Sequence, residues 1–98
     1  MAAAYVAAGM DGVANKVDPG EPNMENMYDR PLAEVLATGT QILPQSLAEA
    51  VQELERDEVV QAALGPIADE FIALKTQEWD EYGSQVSSWE IDKYLTFF

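Results

Sequence analysis

Residues 46–83 read SLAEAVQELERDEVVQAALGPIADEFIALKTQEWDEYG, and the spacing in this stretch decides the fold class. Ser46 followed by Glu49 is the pattern of a capping box, in which the serine oxygen and the glutamate carboxylate satisfy backbone donors of the first helical turn. Leu47, Val51 and Leu54 then recur three and four residues apart, one apolar stripe of a helix. Asp57 is placed to cap a second short helix carrying Val59, Val60, Ala63 and Leu64. Gly65 reads as a stop, and Pro66 suits the first turn of the next helix. That helix aligns Ile67, Phe71 and Leu74 on one line and Ala68, Ile72 and Trp79 on the next, and it is expected to run to about Tyr82 and end before Gly83.

The same reading extends in both directions. Ser87 and Glu90 form a second capping-box pattern, opening a last helix on which Ile91, Leu95 and Phe98 align and Trp89 and Tyr94 flank. Aromatic residues at a chain end are either tucked into the chain's own core or donated to a neighbour's groove. Met1 to Asn15 is an alanine-rich helix with Tyr5, Val6, Met10 and Val13 at helical spacing. It has no Ser, Thr, Asp or Asn to cap it, as expected of a chain whose beginning has been cut. Lys16 to Pro31 holds three prolines and the turn signals Asp18-Pro19-Gly20 and Glu21-Pro22, so it is a loop. A short helix is expected from Pro31 to about Thr38, then an irregular stretch from Gly39 to Pro44. No segment alternates long enough to be a strand. The expected fold is mostly α, four to five helices with one long Pro/Gly loop, in a single unit over residues 1–98.

Composition narrows the function. The chain has 98 residues, with 18 acids against 5 bases and a net charge of −13. Lys16, Arg30, Arg56, Lys75 and Lys93 are scattered singly, which argues against nucleic acid and against anionic membrane surfaces. With no Cys and no His there is no disulfide framework, no zinc site of the Cys/His kind, no thiol nucleophile and no imidazole base. No apolar run approaches the roughly 20 residues of a membrane helix, and the apolar start lacks the basic flank of a signal peptide. A hydrophobic fraction of 48% argues for a folded chain despite the charge.

The acids were weighed as sites. Asp11, Asp18, Glu21, Glu25 and Asp29 fail the calcium-loop pattern, since the third position from Asp11 is Val13 and the one needing glycine is Lys16. They read as a solvated loop. Glu78, Asp80 and Glu81 beside Trp79 and Tyr82 are adjacent on a helix and point apart, which disfavours paired carboxylate chemistry. There is no glycine-rich phosphate loop.

Residues 7–22, AAGMDGVANKVDPGEP, resemble the glutamine synthetase superfamily, in which a helix ending A-G-x-D-G-[IV]-x-N-K is followed by a P-G-E turn. The similarity continues through Asn26-Met27-Tyr28-Asp29, like the family's N-[LM]-Y-[DE], and Pro31. It extends to Ser46-Leu47-Ala48-Glu49-Ala50 and, more loosely, to the closing E-I-D-K-Y-L.

The resemblance implies the C-terminal helical portion of an α/β catalytic domain, part of an ATP-dependent ligase that joins glutamate to ammonia or an amine. In that family Mg²⁺ or Mn²⁺ and ATP are held by residues preceding the first helix of this chain, so the resemblance implies no catalytic, cofactor-binding or metal residue here. It also implies that the piece alone binds none of these and is inactive. Tyr28 matches the tyrosine that is adenylylated in the regulated bacterial branch. The C-terminal half, with Trp79, Trp89 and the closing Phe pair, departs from that branch and favours a divergent one acting with an amine such as methylamine or a polyamine. The resemblance further implies a cytoplasmic homo-oligomer of rings or double rings, with Trp89, Ile91, Tyr94, Leu95 and Phe98 as the contact to another subunit. The competing reading is a free-standing acidic helical interaction module.

Overall fold

The computed structural model describes residues 1–97. Side-chain caps mark the starts of some of its helices and not others. Helix α1 (Ala2–Ala14) starts at Met1 with no side-chain cap. After a long loop comes α2 (Leu32–Ala37), followed by α3 (Leu47–Arg56), α4 (Glu58–Leu64) and α5 (Ala68–Gly83). Asp57 closes α3 and opens α4: the Val60 N–H donates to its carboxylate at 3.0 Å. Gly65, at φ +63°, stops α4, and a single turn of 3₁₀ helix, Gly65–Ile67, leads into α5. No strand is present among the described residues, in agreement with the mostly α expectation.

Three details differ from the sequence reading. The Ser46 box closes on one side only. Its Oγ accepts from the Glu49 N–H at 3.2 Å, but the Glu49 carboxylate accepts from the Gln45 N–H at 2.7 Å, one residue further back. Helix α5 includes Gly83, because the Ser84 N–H still finds the Asp80 and Glu81 carbonyls. The last helix is not a continuous α-helix. One α-turn, α6 (Ser88–Glu90), passes into a π-turn, Ile91–Leu95.

Helix α1 packs on α4, and α3 packs on both α4 and α5. The face that α1 turns inward carries mainly small residues, with Ala4, Ala7, Asp11 and Gly12 half-buried, while Tyr5, Val6, Met10 and Val13 remain in solvent. Small side chains let two helix backbones approach closely. Val51, with Leu47, Ala48 and Leu54 half-buried around it, is the centre of α3's inner face. On α5 the line of Ala68 and Ile72 turns inward, and the line of Ile67, Phe71 and Leu74 stays exposed.

The buried core therefore consists of Val35, Val51 and Ala68. The accessible surface is 8582 Å², against about 5,500 Å² for a compact protein of this mass. The radius of gyration is 18.6 Å, where a compact chain of this length has about 13 Å. Helices are formed locally, and their apolar faces are largely uncovered.

Two outcomes follow. Purified alone, the 98-residue chain should show helical circular dichroism with a broad, weakly cooperative melt, and should self-associate in analytical ultracentrifugation. A sharp melt of a monomer would contradict this account. Asp57→Ala removes the α4 cap and should cost about 0.5–2 kcal/mol of helix stability, read as lost far-ultraviolet ellipticity.

Candidate functional site

The loop that joins α1 to α2 is held by its own side chains. The Gly20 N–H donates to Asp18 Oδ1 and the Glu25 N–H to Asn23 Oδ1, each at 2.9 Å. Asn26 caps a 3₁₀ turn, Met27–Asp29. Its Oδ1 accepts from the Tyr28 N–H at 3.2 Å, and its Nδ2 donates to Asp29 Oδ2 at 2.7 Å. Arg30 pairs with Glu25 across the same turn. With its backbone tied down on both sides, Tyr28 projects outward and is 100% exposed. Its phenol oxygen is accessible to any large reagent.

The second region is the tail. The Ser87 box is complete: the Glu90 N–H donates to Ser87 Oγ at 3.2 Å, and the Ser87 N–H and Oγ–H donate to Glu90 Oε2 at 2.7 Å. These bonds to the charged form, the backbone one first, hold the Glu90 carboxyl below the ordinary glutamate value. Lys93 Nζ, one helical turn after Trp89, sits 4.6 Å from its ring centre, and the π-turn brings Tyr94, five residues on, edge-on to Trp89 at 6.0 Å and 88°. Beside this cluster Val86, Ile91, Tyr94 and Leu95 line an open apolar groove of about 360 Å³.

Of the five tail residues singled out in the sequence, Trp89 (60% exposed), Ile91, Tyr94 and Leu95 (71%) face solvent, and Phe98 lies outside the described residues. The structure gathers Tyr94, Ile91 and Leu95 at one groove. The Trp89–Lys93 stack is signalled in the sequence by its four-residue helical spacing, whereas the five-residue Trp89–Tyr94 contact needs the π-turn. Tyr28 and the tail belong to elements joined by no substantial packing, so they form two regions. Among the described residues no group of three acids converges to hold a metal ion, and no helix is long and apolar enough to cross a membrane.

The model of the family "Glutamine synthetase, catalytic domain" matches residues 1–94. The chain belongs to the glutamine synthetase catalytic-domain family. It is 53% identical over 96 residues to the glutamate–methylamine ligase of Methyloversatilis universalis, covering 98% of this chain and 22% of that protein. To the glutamine synthetase of Archaeoglobus fulgidus it is 40% identical over 93 residues, covering 94% of this chain and 19% of the relative. Among solved structures it is similar to one described as "Apo GmaS without ligand", with a TM-score of 0.77 and 39% identity over 95% of this chain and 21% of that one. The chain thus spans about a fifth of the length of the relatives it matches.

The pH dependence of the tail follows from Glu90. Its folded value is depressed, so the cap stabilises the turn above the ordinary glutamate value and is lost as pH falls through the lowered one. In an NMR titration Glu90 should ionise at lower pH than in an unfolded reference. Ser87→Ala removes the hydroxyl bond and keeps the backbone one, so it should narrow the difference without abolishing it.

Proposed function

We propose that residues 1–98 form the C-terminal segment of the catalytic domain of an ATP-dependent ligase that joins glutamate to an amine. Its role there is packing and assembly, not bond-making. The observation that carries the substrate reading is the 53% identity to a glutamate–methylamine ligase along 98% of the chain, against 43%, 40% and 39% to the glutamine synthetases of Staphylococcus aureus, Archaeoglobus fulgidus and Thermotoga maritima. Methylamine is accordingly the preferred acceptor, with ammonia as the second.

The assembly role is supported by the uncovered faces. Tyr5, Val6, Met10 and Val13 of α1 and Ile67, Phe71 and Leu74 of α5 are apolar and exposed, as faces that pack against further polypeptide are. ATP and Mg²⁺ or Mn²⁺ belong to the rest of the enzyme, as the family resemblance implies. The tail residues Trp89, Ile91, Tyr94, Leu95 and Phe98 serve as the contact to another subunit of a homo-oligomeric, cytoplasmic ring or double ring. Burial of Ile91 and Leu95 contributes roughly 1.5–3 kcal/mol each, and an apolar contact offsets the repulsion between chains of net charge −13. Tyr28, presented by its turn, is the position for adenylylation.

The substrate reading is tested on the full-length protein with glutamate, ATP, Mg²⁺ and either amine. γ-Glutamylmethylamide should form faster than glutamine; glutamine formation alone would place the protein with the ammonia-using enzymes. The 98-residue chain by itself should form neither product. Deleting Ile91 to Phe98 from the full-length protein should split a double ring into single rings in native mass spectrometry. An unchanged assembly would assign the tail to its own subunit.

A further inference from the structure

The end of α1 carries an anomaly that neither packing nor the ligase reading absorbs. The helix closes with a Schellman turn: the Val17 N–H donates to the Gly12 carbonyl at 3.0 Å and the Lys16 N–H to the Val13 carbonyl at 3.2 Å. That turn needs a left-handed residue at its centre, and the residue is Lys16, at φ +51°. Elsewhere the chain places glycine where φ is positive, at Gly20, Gly39 after α2 and Gly65 after α4. Lys16 is the only non-glycine among the described residues in this conformation. An L side chain there is disfavoured by the clash of its Cβ with the backbone, so glycine would serve the turn better.

The side chain is also unlike the other cations. Arg30, Arg56 and Lys75 pair with Glu25, Glu53 and Glu78, and Lys93 lies over Trp89. Lys16 is exposed and makes no ion pair among the described residues, although acids outnumber bases 18 to 5. The acids nearest in sequence are turned to other donors: Asp11 Oδ1 accepts from Asn15 Nδ2 at 2.9 Å, and Asp18 Oδ1 accepts from the Gly20 N–H at 2.9 Å. A cation after a helix C-terminus is favoured by the carbonyl pole, but a lysine in the last turn of α1 would gain that without a positive φ.

We infer that Lys16 is an oxyanion contact: its ammonium receives a carboxylate or a phosphate from outside this chain, and that interaction offsets the strained backbone. An ammonium offers three N–H donors and a compact charge suited to either group. On a surface of net charge −13, it is the side-chain cation that has neither an acid nor an aromatic ring as partner among the described residues. The inference shares with the proposed function the premise that this chain meets further polypeptide or substrate, but its readouts do not require turnover.

The test uses the full-length protein with Lys16→Asn and Lys16→Gly, both suited to a left-handed residue, and Lys16→Arg, which keeps the charge. If the partner is a protein carboxylate, Asn and Gly lower the melting temperature at low ionic strength, the loss shrinks as salt is added, and Arg restores it. If the partner is a phosphate, Asn and Gly weaken binding of inorganic phosphate on the order of tenfold, followed by calorimetry, and Arg binds as the parent does. The inference is overturned if Lys16→Asn melts at or above the parent temperature at every salt concentration and binds phosphate unchanged.

Discussion

The scarcity of mutual burial governs this chain. Almost half of its residues are hydrophobic, yet the buried core is Val35, Val51 and Ala68. Each helix can satisfy its backbone alone, but helical stability in proteins comes mainly from packing an apolar face. Here α1 spends its small-residue stripe on α4 and leaves its bulky one bare, and α5 does likewise with Ile67, Phe71 and Leu74. Faces of that kind are complementary to something of comparable apolar area, which is why the extended shape and the family membership belong together.

Against that weak core, local hydrogen bonds carry the organisation. Asp57, Ser46, Ser87 and Asn26 each place one helical turn. The same chemistry presents Tyr28, whose turn is fastened by Asn26 on its N-terminal side and by the Arg30–Glu25 pair around it. A side chain exposed on a braced turn gains accessibility without disorder. The tail uses a different device. Its π-turn gathers Trp89, Lys93 and Tyr94 on one side and leaves Val86, Ile91 and Leu95 beside Tyr94 as a groove.

Much of this was legible in the residues themselves. Helix starts, the Gly65 stop and the long loop with Tyr28 follow from capping and turn chemistry that act over three or four residues. The family was legible in the fixed spacing from Ala7 to Pro31, where a helix end, a P-G-E turn and an N-x-Y-D segment occur together. The π-turn was not, because α periodicity and one inserted backbone turn leave the same apolar residues in the list and change only their phase.

The sequence by itself determined that the chain is helical, where the capped helices α3, α4 and α6 begin, and that acids dominate its composition, since these depend on near neighbours and on residue counts. Tertiary structure decided which of two apolar stripes turns inward on α1 and α5, that Glu49 reaches Gln45 and not Ser46, and that Lys16 holds a left-handed turn with its ammonium free of its neighbours. The reason is geometric. A stripe is chosen by the partner that can approach it, and alanine and glycine faces admit a second helix where tyrosine and methionine faces do not.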